Sequence, residues 1–151
     1  MARIDRASRW IKASSQAAYR AHLDAEAIAA WRPPQGMAAE IYAFDAREGG
    51  GYRMAFIYVG EGHGKTTDKA DVFEGRFLEL LPDARIVEQV SFDSDDAAFD
   101  GAMTITTTFT AKEGGVRVDV AISDVPQGIS PQDHQAGMDS SLANLAAFLE
   151  R

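Results

Sequence analysis

The sequence predicts one α+β domain in which a run of antiparallel hairpins curves around a long C-terminal helix. Three observations carry that prediction. From about Gly36 to Val125 the chain breaks into short stretches of alternating apolar and polar residues, separated by Gly, Pro and Asp turns. From Ser130 onward the apolar residues recur at helical spacing instead. No linker, internal repeat or shift in composition divides the 151 residues, so residues 1–151 read as one domain.

The elements follow in order. A first strand precedes two short helices. Ser14 or Ser15 can cap the first, which runs to about Leu23, and Asp24 can cap the second, which Pro33 and Pro34 stop after Trp31. Met37 to Phe44 and Tyr52 to Tyr58 are strands around the Gly49-Gly50-Gly51 turn, and Tyr52, Met54, Phe56 and Tyr58 share one face. Phe73 to Leu81 and Ile86 to Phe92 flank Pro82-Asp83 as a hairpin. A second hairpin joins Met103, Ile105, Thr107 and Phe109 on one strand to Val116, Val118, Val120 and Ile122 on the next, through Glu113-Gly114-Gly115. The final helix has Ser130 at its N-cap, Pro131 at N1 and Asp133 at N3. Its stripe of Met138, Leu142, Leu145 and Leu149 must bury against the sheet, and His134 lies one turn above Met138 on that stripe.

Composition narrows the function classes. With 46% hydrophobic and 25% charged residues the chain is ordinary globular protein, and its net charge of -8 has the wrong sign for a phosphate-neutralising surface. Nucleic acid is therefore not an expected partner. The absence of cysteine removes thiol catalysis and thiolate metal sites. No apolar run is long enough to span a membrane, and the N-terminus lacks a signal-type apolar core, so a cytoplasmic protein with no membrane partner is expected.

Several segments together resemble a known superfamily. These are Trp31-Arg32-Pro33-Pro34-Gln35-Gly36-Met37, Gly49-Gly50-Gly51-Tyr52-Arg53, Phe73-Glu74-Gly75-Arg76-Phe77-Leu78-Glu79-Leu80 and Asp133-His134-Gln135-Ala136-Gly137. In this order, over about residues 3 to 150, they resemble the SRPBCC (START-like, birch-pollen-allergen-like) superfamily and most of all its heat-shock-90 ATPase-activator-homologue branch. Met138 stands where many members of that branch carry tryptophan. The resemblance implies a helix-grip fold, a seven-stranded antiparallel sheet around the terminal helix, with a cavity that often holds an apolar molecule. It does not imply one activity, since the superfamily includes carriers, receptors, cyclases and co-chaperone domains.

The expected function is binding of a small hydrophobic or aromatic molecule, with a wall formed by Trp31, Tyr52, Met54, Phe56, Tyr58, Phe77, Thr107, Phe109, His134 and Met138. Two alternatives stay open: a cyclase- or hydrolase-type enzyme using cavity carboxylates or His134, and a co-chaperone-like interaction module. A homodimer is also left open. A four-residue loop around Pro82 would set Glu79 opposite Glu88 as an acid pair on an apolar face, whereas a two-residue turn would separate them.

Gly60 to Thr66 lacks phosphate-loop spacing and reads as a hairpin loop, and Asp93 to Asp96 reads as a solvated turn rather than a calcium loop. His22, His63 and His134 fall in separate elements, so no metal, cofactor or catalytic residue is assigned.

Overall fold

The computed structural model describes residues 3–59 and 70–151. Its elements are β1 (Ile4–Ile11), α1 (Ser15–Arg20), α2 (Ala25–Trp31), β2 (Met37–Phe44), β3 (Gly51–Tyr58), β4 (Ala70–Leu81), β5 (Arg85–Phe92), β6 (Ala102–Lys112), β7 (Gly115–Ser123) and α3 (Pro131–Glu150). A 3-10 turn, Ala97–Phe99, lies between β5 and β6 and is capped by Asp96, within the segment read as a solvated turn. The seven strands form one antiparallel sheet in the order β1-β7-β6-β5-β4-β3-β2. Strand β1 pairs with β7, Ile4 opposite Ser123 through Ile11 opposite Val116, so α1 and α2 carry the chain from one sheet edge to the other. This is the expected helix-grip arrangement. The loop Gly60 to Thr66, with His63, lies outside the described residues.

Local chemistry fixes the helix ends. Ser14 Oγ accepts from the Ala17 amide, Asp24 Oδ1 from Glu26 and Ser130 Oγ from Asp133, each at 3.0 Å. Each such cap is worth about 1 kcal/mol. At the β6–β7 turn Lys112 faces Gly115, and Glu113 and Gly114 both take positive φ (52° and 78°), the type I′ geometry that suits a two-residue hairpin.

The alternation read from the sequence becomes an inside and an outside. Met103, Ile105, Thr107 and Phe109 of β6 are buried, as are Val116, Val118 and Ile122 of β7. They join Met138, Leu142, Leu145 and Ala146 of α3 in one core, and Leu145 is fully enclosed. Helix α3 also packs against β1, α1 and α2.

The β4–β5 hairpin departs from the register that would pair Glu79 with Glu88. Its turn is three residues, with Leu81 facing Arg85 and Asp83 at φ 60°, and a bulge at Leu78 shifts the register between Phe77 and Glu79. Phe77 faces Glu88 while Glu79 faces Val87. The extra residue reverses the alternation, so Leu80 packs against the core and Glu79 reaches Arg85 at the surface. The two glutamates therefore form no acid pair.

Candidate functional site: a cavity with a buried ion pair

Between the sheet and α3 lies a cavity of about 650 Å³. Its wall is largely apolar, with Trp31, Phe56, Phe73, Phe92, Met103 and Ile105 among the lining residues, and its exposed rim includes Gln35, Asp133 and Ala136. Of the residues expected to line it, Trp31, Phe56, Tyr58, Thr107, His134 and Met138 do so. Tyr52, Met54, Phe77 and Phe109 are instead buried in the packed core and do not line the cavity themselves.

Charge enters this wall through Arg32 and Glu88. Arg32 Nη1 donates to Glu88 Oε1 at 3.0 Å, the Tyr52 hydroxyl donates to the same oxygen at 2.6 Å, and Arg32 Nη2 donates to the Tyr52 oxygen at 3.3 Å. The side chains of Arg32 and Glu88 are 14% and 2% exposed, so the pair is desolvated, and together with Tyr52 the two hold one another in place. Burial works against the Arg32 charge, but Glu88 beside it more than compensates and holds the guanidinium above the usual arginine range. Burial also raises the Tyr52 phenol well above its ordinary value, against the opposing charge of Arg32, so the phenol keeps its proton.

Backbone and packing explain why these groups meet. Tyr52 faces Gly75 across β3 and β4, and a Cβ at Gly75 would occupy the space of the Tyr52 ring. The missing side chain lets the ring cross β4 and put its hydroxyl against Glu88 of β5. Arg32 closes the C-terminus of α2, where the following prolines leave carbonyls without helical partners. Helix α3 supplies the donors: Ser141 Oγ bonds the Arg32 carbonyl at 2.7 Å and Asn144 Nδ2 the Pro33 carbonyl at 2.9 Å.

Further polar groups complete the wall. His22 is buried beside the rings of Trp31 and Phe109, 4.6 and 5.2 Å between centroids, and its Nδ1 lies 2.8 Å from the Ala18 carbonyl. A carbonyl only accepts, so Nδ1 carries the proton. Burial lowers the His22 pKa to about 4, which leaves the ring neutral at pH 7 with Nε2 unprotonated. Thr107 and Asp71 are buried in the wall as well. Toward the start of α3, His134 Nδ1 sits 2.6 Å from Asp5 Oδ2, and Arg3 grips the same carboxylate through Nε and Nη2. The Arg3 hydrogen bond, opposed by burial and aided by His134, holds Asp5 below the usual carboxylate range. Among the described residues no three His, Asp or Glu side chains converge as a metal site requires.

The sequence profile of the family described as Activator of Hsp90 ATPase homolog 1-like protein matches residues 12–150. The chain belongs to this family. A crystal structure of a Chromobacterium violaceum protein is 34% identical to this chain with a TM-score of 0.88, covering 98% of this chain and 97% of that one. A Rhizobium loti protein at 24% identity and TM-score 0.75 covers 99% of this chain and 98% of its own. A Staphylococcus epidermidis protein at 21% and 0.72 covers 99% and 89%. These two show the shared fold alone. No functionally curated protein matches the sequence.

Arg32, His22 and Asp71 also line the wall, beyond the residues that the sequence pattern points to. The signal for Arg32 was present: it lies four residues after the buried Ile28 and so on the inward face of α2. Glu88 stands at an inward position between Ile86 and Val90. A cation and an anion each placed on an apolar face had each other as the available partner.

Proposed function

We propose that the protein binds a small, largely apolar molecule, with an aromatic body preferred, in the cavity between the sheet and α3. The observation that carries this reading is the cavity itself: about 650 Å³, walled mainly by aromatic and aliphatic side chains, with a few fixed polar groups. Binding sites for small molecules have this size and this ratio of greasy surface to oriented polarity. Phe56 and Tyr58 supply ring faces on one side and Met138 an adaptable thioether on the other. A ligand that occupies the cavity stabilises the native state by mass action. A thermal-shift screen of small aromatic compounds should therefore raise the melting temperature, and Phe56→Ala or Tyr58→Ala should weaken the effect. A broad panel that leaves the melting temperature unmoved counts against cavity binding.

A second reading, acid–base catalysis on the bound molecule, is favoured by the His134–Asp5 contact at 2.6 Å. A carboxylate that fixes Nδ1 orients the other ring nitrogen, as a general base requires. Under this reading His134→Gln would abolish a chemical change in the bound molecule even at ligand concentrations that saturate the cavity.

A further inference from the structure

The cavity's hydrogen-bonding groups are unevenly used. Both donors that reach Glu88, from Arg32 and Tyr52, arrive at Oε1. Oε2 receives none, although Glu88 is 1% exposed and lines the cavity. Among the described residues no fully enclosed side-chain nitrogen or oxygen lacks a partner, so the unpaired Oε2 opens onto the cavity. His22 adds a second acceptor to the same wall, because Nδ1 is engaged by Ala18 and Nε2 is left with its lone pair. Arg32 faces its own counter-ion and offers no net positive charge to an anionic guest. Thr107 stands diagonally from Glu88 on this face, since Ile86 faces Thr107 and Glu88 faces Ile105.

We propose that the ligand carries a hydrogen-bond donor, a hydroxyl on an otherwise apolar or aromatic body, and that Glu88 Oε2 receives it. This rests on the cavity-binding reading and specifies its ligand class. A guest that fills the cavity covers Oε2, which is costly if no donor is supplied, and a ligand hydroxyl removes that cost while an ether or methyl group at the same place cannot. Arg32 and Tyr52 hold the carboxylate in position before the ligand arrives, so little ordering is left for binding to impose.

Four naphthalene probes of nearly equal size test this by titration at neutral pH: 2-naphthol, 2-methoxynaphthalene, 2-methylnaphthalene and 2-naphthoate. The wild-type protein should prefer 2-naphthol over the methoxy compound by about tenfold or more, the range for a hydrogen bond to a charged group. In Glu88→Gln, with the amide oxygen still facing Arg32 and Tyr52, an N–H replaces the acceptor, and the preference should pass to 2-methoxynaphthalene.

The paired variant Arg32→Met with Glu88→Met removes both charges and guards against a single variant that does not fold. It should bind 2-naphthol no better than 2-methylnaphthalene. Equal wild-type affinity for all four probes overturns the donor requirement and leaves cavity binding standing. Tightest binding of 2-naphthoate, or a naphthol preference that survives in the paired variant, overturns it as well. Binding of none of them overturns the cavity reading and this inference together.

Discussion

Removing Glu88 alone should be among the most damaging single changes in the protein, and removing it together with Arg32 should not. In Glu88→Met the Arg32 guanidinium, 14% exposed, loses its one ion-pair partner among the described residues, and the Tyr52 hydroxyl loses the acceptor it holds at 2.6 Å. Leaving one buried charge without its partner costs about 3–5 kcal/mol. For a domain of this size each kcal/mol is worth about 2–4 °C, so the melting temperature should fall by about 6–20 °C. The paired Arg32→Met and Glu88→Met variant exchanges a desolvated ion pair for two flexible apolar side chains, a replacement that is often neutral or stabilising. Urea denaturation followed by tryptophan fluorescence measures both variants, with Trp31 as a core reporter. A single-variant loss below about 1 kcal/mol, or a paired variant as unstable as the single one, would refute the claim that these charges are buried and mutually dependent.

Three other perturbations have definite expected outcomes. Leu142→Ala on the buried face of α3 should cost about 2–5 kcal/mol in the same denaturation assay, and a cost under about 0.5 kcal/mol would place that helix at the surface. His22 titrates near 4 in the fold and near 6.5 when unfolded, so it is neutral in both states above about 6.5. Below that the unfolded chain takes up the proton first, and stability should fall by up to about 1.4 kcal/mol per pH unit until about pH 4. The pH profile of His22→Phe should be flatter by that amount. Among the described residues a Cβ at Gly137 would meet only Pro34, at 3.9 Å, at the cavity wall. Gly137→Leu should thus gain roughly 0.5–1 kcal/mol of stability from helix propensity while weakening naphthol binding, two effects of opposite sign that unfolding cannot mimic.

The fold was legible because its signals are local. Ser14, Asp24 and Ser130 announce three helix starts, and the alternation at Met103 to Phe109 and Val116 to Ile122 fixes which face is inward without knowledge of what covers it. The site was legible only in part, because it depends on relations between distant residues. Glu88 was visible as a carboxylate on an apolar face, but its partner depends on a bulge at Leu78 and on a turn one residue shorter than the register that would pair it with Glu79. That bulge sends Glu79 outward, and the gap above Gly75 lets Tyr52 arrive from two strands away. Neither effect has a signature in hydrophobic periodicity, which records inside and outside but not the neighbour across the sheet.

The central claim, that the space between sheet and α3 holds a small apolar molecule, is tested most directly by native mass spectrometry of the protein after equilibration with a small-molecule cell extract. The account predicts a discrete non-covalent adduct of roughly a few hundred daltons, suited to a drug-sized cavity. The adduct should be released on collisional activation and diminished in Gly137→Leu. A bare protein mass under gentle conditions, or an adduct retained undiminished by Gly137→Leu, would contradict it.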